Sequence, residues 1–324
     1  MQFSLRLALS LAVFAVAVSG CSAQSADPIQ SASADGPITF TNCGVSVTSD
    51  AAPERVITIK SSTTEMLLAL GLGDRIVGTG FQDGPVPDQW ADDAANIVAI
   101  SDKVPSEEVA LESEPDFIYA GWESNFSAEG VGERDELAAL GVTSYVSPAA
   151  CRSIQPPKLS FEDVFAEIAQ VASVFRVDAG ALIADQQATL AEVIDGAPGD
   201  GRTALWYSSG TDTPYVGAGI GAPQLVLETV GLTNVASSVE ATWAPFTWES
   251  VVDSDPYFIV LVDATWNTAE SKIAALEANP ATANLSAVIA KRYLVVPFAA
   301  SEAGVRTVET TRSIAEQITA LDGQ

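Results

Sequence analysis

The sequence contains no histidine. That absence removes the commonest general base, the usual nucleophilic triad and most zinc sites. Cations are scarce: 15 Lys and Arg stand against 42 Asp and Glu, a formal net charge of −27. A chain so short of positive side chains has little with which to hold phosphates, which excludes nucleic acid as a partner. The acidic excess reads as a solvation adaptation, to salt for instance, and carries little information about fold. Long apolar runs are missing beyond the N-terminus. The longest later one, Tyr257 to Val262, stops at Asp263, so no later segment is expected to span a membrane.

What is present begins with a leader. Arg6 precedes an apolar run from Leu7 to Val18 that is short for a bilayer, and residues 1–20 read as a signal peptide. Val18-Ser19-Gly20-Cys21 resembles a bacterial lipoprotein cleavage box, in which Cys21 becomes the lipid-bearing first residue. The other reading is a secreted protein with an unmodified Cys21. Residues 21–36 are small and polar, as expected of a flexible tether. The chain is therefore expected outside the cell, held by lipid on the outer face of the cell membrane.

The body of the chain repeats a phrase. Residues 105–119 and residues 246–260 each carry a hydroxyl cap (Ser106, Thr247), a Glu two residues on (Glu108, Glu249), and one short helical turn. Each then has an acidic residue before Pro (Glu114-Pro115, Asp255-Pro256) and an apolar strand opening with Phe-Ile. A repeat of this length predicts two similar lobes, and two lobes make a cleft.

The elements between support that reading. Ile38 to Val47 alternates around Asn42-Cys43-Gly44, a hairpin pattern. Arg55 to Ile59 reads as a strand, Ser62 to Leu70 as a helix opened by a Ser62–Glu65 capping box, and Asp74 to Gly78 as the next strand. Strands follow at Phe117 to Ala120 and Val142 to Val146. Phe161 to Ile194 keeps helical spacing, with a shallow break near Arg176-Val177-Asp178; a helix of about thirty residues is roughly 45 Å long. Strands at Thr203 to Tyr207, Phe258 to Val262 and Tyr293 to Val296, and a closing helix at Val308 to Leu321, complete a second α/β half. Gly217-x-Gly219-x-Gly221 fits a tight strand-to-helix turn better than a dinucleotide loop. Cys43 and Cys151 read as a disulfide pinning the N-terminal segment to the first lobe, over two buried free thiols.

This layout resembles the substrate-binding proteins of ABC importers for cobalamin, haem and iron-siderophores. The resemblance covers roughly residues 53–322. It is carried by Arg55 to Glu65, Ala69 to Gly78, the two Glu…Pro segments, the long helical stretch and Leu285 to Pro297. It implies an α/β fold of two lobes, each with a mainly parallel sheet flanked by helices, bridged by one long helix. The lobes would span residues 37–157 and 197–324, and the bridge 158–196. It also implies reversible binding without chemistry or cofactor by a monomer, and a permease dimer with its ATPase as partners. Glu108 and Glu249, seven residues before each Pro, match the positions at which the family docks onto permease arginines. Taken alone, each would be read as a residue favouring its helix dipole. Three stretches, Ser101 to Ser106, Tyr119 to Phe126 and Trp206 to Tyr215, further resemble an actinobacterial subgroup assigned to a deazaflavin coenzyme precursor. They imply a small, aromatic and anionic ligand.

Ligand contacts are expected from loops at the carboxyl ends of strands. The candidates are Ser61, Ser62 and Thr63; Trp122, Glu123 and Asn125; Tyr207, Tyr215 and Trp243; Trp266 and Asn267; and Phe298, Glu302 and Arg306. The aromatics would stack on a conjugated ring, the Ser61–Thr64 helix start would favour an anion, and Arg306 would pair with a ligand phosphate or carboxylate. Trp206 lies within its strand and is expected in the core. No metal site is expected. Three other readings stay open. One is the same importer role with a ferric siderophore, haem or cobalamin, although the missing histidine disfavours direct haem or cobalt ligation. The others are an extracellular enzyme, for which no nucleophile–base pair is visible, and a sensor or adhesin on the same fold.

Overall fold

The computed structural model describes residues 36–323; the expected signal peptide, Cys21 and nearly all of the expected tether lie outside the described residues. The described chain opens with an antiparallel hairpin of β1 (Ile38–Asn42) and β2 (Val45–Ser49). Its two-residue connection, Cys43-Gly44, has φ of 49° and 77°, the left-handed geometry that suits strand twist. Then β3 (Val56–Ile59), α1 (Ser61–Ala69), β4 (Ile76–Gly80), α2 (Ala91–Ala94), β5 (Ala99–Ser101), α3 (Glu107–Leu111), β6 (Phe117–Ala120), α4 (Arg134–Ala139) and β7 (Thr143–Val146) follow. The five strands from β3 to β7 form a wholly parallel sheet of order β5-β4-β3-β6-β7. Its central strands, β3 and β6, are buried along their whole length, as both faces of a parallel sheet must be covered. Cys43 and Cys151 are disulfide-bonded and tie the hairpin turn to the segment after β7.

The bridge is two helices, α5 (Phe161–Phe175) and α6 (Gly180–Asp195). The shallow break expected near residue 176 is a full stop. Arg176 adopts left-handed φ of 57°, and the Val177 amide turns back to the Ala172 carbonyl at 3.0 Å. Glycine would take that conformation more cheaply. The arginine offsets the cost by donating to the Gly36 and Asp50 carbonyls at the start of the first lobe. Asp178 then accepts from the Gly180 amide at 2.8 Å and starts α6. Val164, Ile168, Val171 and Phe175 of α5 join the core of the first sheet; α6 begins against that same core through Leu182 and Ile183 and reaches the core of the second through Val193.

The second lobe contains β8 (Thr203–Ser209), β9 (Tyr215–Gly217), α7 (Ala222–Thr229), β10 (Thr233–Asn234), β11 (Trp243–Pro245), α8 (Trp248–Ser254), β12 (Phe258–Asp263), α9 (Ala269–Ala278), α10 (Ser286–Ile289), β13 (Tyr293–Pro297), α11 (Phe298–Ser301) and α12 (Thr307–Asp322). Its sheet runs β11-β9-β8-β12-β13, with β10 beside β8. β8, β10, β12 and β13 are parallel, whereas β9 runs against both β8 and β11. The triple-glycine segment is a close-packed turn: a Cβ on Gly217 would lie 2.3 Å from Pro223 Cβ, and one on Gly219 2.2 Å from the Ser237 carbonyl oxygen. Trp206 is fully buried under α7 and α12. No helix among the described residues is long and apolar enough to cross a membrane.

The repeated phrase folds alike in both lobes. Ser106 and Thr247 cap α3 and α8 by accepting from the amides of Val109 (3.4 Å) and Ser250 (3.1 Å). Glu114 and Asp255, before the prolines, both take left-handed φ of 47° and 35°. Each phrase then enters an interior strand, β6 or β12.

Candidate functional site

A cavity of about 820 Å³ lies where the carboxyl ends of the parallel strands of both sheets meet. The first lobe supplies Lys60 and Ser62 after β3, Phe81 and Asp83 after β4, Trp122 after β6, and Ser147 to Arg152 after β7. The second supplies the end of β8, Tyr215, Trp243, Trp266 after β12, and Phe298 and Glu302 after β13. Six aromatic rings therefore face one volume, large enough for a drug-sized ligand.

Lys60 organises the first wall. Its backbone has φ of 83° and ψ of 146°, a region costly for any side-chain-bearing residue. Gly121 at the end of β6 makes room for its stem: a Cβ there would meet Lys60 Cβ at 2.8 Å. The Lys60 ammonium is 1% exposed as a side chain and donates to Asp83 Oδ1. It also sits 4.3, 4.1 and 4.5 Å from the ring centroids of Phe81, Trp122 and Phe298. A desolvated ammonium gains about 2 kcal/mol from such a ring face, which helps offset its burial. Burial raises the Asp83 carboxyl above its ordinary range, against the pull of Lys60. Asp83 also accepts from the Ser61 amide at 3.3 Å and donates its own amide to the Ser61 hydroxyl at 2.8 Å. The start of α1 thus holds an anion, and that anion is the protein's own.

The two lobes touch beside this pair. Trp122 Nε1 donates to Glu302 Oε2 at 3.3 Å across the cleft. Burial pushes the Glu302 carboxyl up to about 6, with Lys60 pulling it down. Behind the cavity, Arg306 reaches Glu65 of α1 at 3.5 Å and Glu309 at 3.4 Å. Burial holds Glu65 at about 7 despite Arg306.

Of the residues expected at the ligand, Ser62, Trp122, Tyr215, Trp243, Trp266, Phe298 and Glu302 line the cavity. The other seven are occupied elsewhere. Ser61 serves Asp83, as above. Thr63 donates back to the Ile59 and Lys60 carbonyls, just ahead of α1. Glu123 accepts from the Arg152 and Ser153 amides and so ties the loop after β6 to the disulfide segment. Asn125 accepts from the Trp122 amide at 3.1 Å. Tyr207 donates to the Gly210 carbonyl at 2.8 Å and borders a separate, smaller cavity beside Trp248. Asn267 accepts Lys272 and Ser271 through its two oxygens. Arg306 is committed to Glu65 and Glu309. The Ser62–Glu65 capping box is likewise corrected: the helix begins at Ser61, Lys60 is its cap position, and Glu65 is buried between the lobes.

Sequence reasoning missed Lys60, Phe81, Asp83 and Arg152. A signal existed for the first three. Lys60 follows an apolar strand in a chain with few cations, and Phe81-Gln82-Asp83-Gly84 is another strand-end loop. No cluster of three or more metal-binding side chains occurs among the described residues.

Glu108 and Glu249 lie outside the cavity. Both are exposed, in the first turns of α3 and α8. Those helices follow β5 and β11, which are edge strands of their respective sheets. The two carboxylates thus hold matching places, each on one lobe.

A profile for the periplasmic binding proteins matches residues 56–300. A crystal structure of a periplasmic binding protein from Veillonella parvula is similar, with 27% identity, TM-score 0.77, and coverage of 88% of this chain and 98% of that one. An ABC-type Fe3+-hydroxamate transport system structure from Saccharomonospora viridis has 27% identity and TM-score 0.74, covering 87% and 98%. An uncharacterised ABC transporter substrate-binding lipoprotein of Bacillus subtilis, YvrC, is 23% identical over 84% of this chain and 82% of that protein. With this match and a two-lobed α/β architecture closing on one cleft, the chain belongs to the periplasmic binding protein family.

Proposed function

We propose that this chain is the substrate-binding lipoprotein of an ABC importer, capturing a small, flat, conjugated and anionic molecule outside the cell and delivering it to a permease. The six-ring cavity between the lobes carries this reading. Offset stacking on such rings adds about 0.5–1.5 kcal/mol per pair beyond area burial and suits a fused ring system. Arg152, exposed at the cavity lining, meets the anionic end. A deazaflavin coenzyme precursor fits both requirements and agrees with the resemblance of residues 101–106, 119–126 and 206–215. Binding is reversible and no bond is made or broken. The names of the Bacillus and Saccharomonospora relatives support the importer role.

In this proposal Cys21 carries the lipid, and Glu108 and Glu249 accept permease arginines in bidentate pairs. The deciding experiment combines Glu108→Ala with Glu249→Ala. Uptake should fall while affinity in solution stays unchanged; lost affinity would place those carboxylates in the pocket instead. Protein purified from its native host should carry a ligand absorbing in the violet. A broad ferric band would redirect the cargo to a siderophore, and turnover of the ligand would revive an enzyme.

A further inference from the structure

The cavity has a polarity that constrains how a ligand enters. At its inner wall stand one cation and two carboxylates: Lys60, Asp83 and Glu302. Lys60 is used up by Asp83 and three rings. Glu302 takes one hydrogen bond, from Trp122 to Oε2, while Oε1 accepts nothing from the described residues. Oε1 is not sealed in the protein either, and Glu302 is among the side chains that line the cavity. Rings of Trp122, which donates to this carboxylate, and of Phe298 cover Lys60, and Trp266 packs on Phe298 at 5.6 Å. A ligand anion placed there would meet a second negative group in a poorly solvated site, where Lys60 is already shared between Asp83 and Glu302. A ligand N–H or O–H placed there would make a charge-assisted hydrogen bond, roughly twice as strong as a neutral one. The other cation of the lining, Arg152, is exposed to solvent.

We propose that Glu302 reads a hydrogen-bond donor on the edge of the ligand's ring plane, such as an imide or lactam N–H, so that this edge enters first and any anionic group stays beside Arg152. The inference rests on the conjugated-ligand reading above and deepens it. It assigns Glu302 as the specificity residue and excludes flat molecules whose inward edge bears only acceptors or a carboxylate.

The test uses 5-deazariboflavin, which carries one imide N3–H, and its N3-methyl derivative, titrated into the purified chain by fluorescence. In the native protein, methylation should weaken binding by about tenfold or more, because it deletes the donor and brings a methyl group against a carboxylate. In Glu302→Gln the gap between the two probes should shrink to about threefold or less, since the amide oxygen still accepts but without charge. Equal binding of both probes to the native protein overturns the inference and leaves the conjugated-ligand reading standing. A methylation penalty that survives intact in Glu302→Gln also overturns the assignment to Glu302. Failure of 5-deazariboflavin itself to bind the native protein at millimolar concentration overturns the conjugated-ligand reading and the inference with it. The probe comparison in the native protein needs no variant to fold.

Discussion

The two lobes build opposite walls of one cavity in different ways. The first wall is a finished polar structure. Lys60, Asp83, Phe81 and Trp122 satisfy one another, and Lys60 and Asp83 are 1% and 5% exposed. The second wall is largely unfinished surface: Trp266 is 59% exposed and Tyr215 39%. The contrast teaches that stability and affinity are separable here. The first wall is organised before any ligand arrives, whereas the second gains its contact area only when one does. Lys60→Met should break the first wall most severely, because it leaves Asp83 buried without its partner. We expect a loss of about 3–5 kcal/mol in denaturant unfolding, and a drop of about 10 °C in Tm. The double change Lys60→Met with Asp83→Asn should recover most of that loss. A double variant no more stable than the single one would mean that the ion pair is not what holds this wall.

Beneath the same wall lies a second buried group. Tyr119 of β6 donates to Glu167 Oε1 of α5 at 2.7 Å. Burial pushes Glu167 up to about 7, although its hydrogen bonds to Tyr119 and Ser147 pull the other way. The folded carboxyl therefore keeps its proton to higher pH than the unfolded one, whose pKa is about 4.3. Between those values the native state binds more protons, so stability falls as pH rises through that window. Glu167→Gln should remove a pH-dependent contribution on the order of 3 kcal/mol. Unfolding free energies of both proteins at pH 5 and pH 8 will check it: parallel changes would show that Glu167 does not titrate in this range. A buried charged residue of the second lobe, Lys272 of α9, bonds only backbone carbonyls, of Val262 and Asn267, at 2.6 Å each. It holds a loop in place rather than finishing a wall.

That asymmetry also explains what could be read from the chain alone. The repeated phrase, the hairpin and both α/β halves were legible because local rules fix them: alternation, hydroxyl caps and an acidic residue before proline. The disulfide was legible because only two cysteines follow Cys21 in a chain expected outside the cell. The exposed aromatics of the second wall were legible too: Trp266 follows the end of β12, and Tyr215 opens β9 before the triple-glycine turn. Of the first wall, Ser62 and Trp122 were legible, but the charged pair that organises it was not. Ser61, Thr63 and Asn125 carry strong turn and capping signals, and the fold spends those side chains on the backbone. Lys60 and Asp83 carry no local signal for each other, because their pairing depends on β3 and β4 lying side by side. Arg306 was misplaced for a related reason. Its partner Glu65 stands in the other lobe, 241 residues away in sequence. The break at Arg176 was visible as a weakening of the pattern, but its sharpness comes from contacts to Gly36 and Asp50 that no window along the helix contains.

The finest probe of the contrast is Trp266→Ala. This ring sits on the loop between β12 and α9, which Lys272 fixes from below, and it touches Phe298 at the cavity edge. With 59% of its surface already in water, little is lost on folding when it is removed. Tm should change by no more than about 1 °C. Affinity for 5-deazariboflavin should drop by about tenfold, close to 1.4 kcal/mol, the worth of one stacked ring. Trp122→Ala is the matched control on the first wall. It uncovers Lys60 and frees Glu302, so stability and affinity should fall together. Were Trp266→Ala to cost as much stability as Trp122→Ala, the second wall would be as load-sharing as the first, and the cavity would have to be seen as one preformed box rather than a rigid face awaiting a soft one.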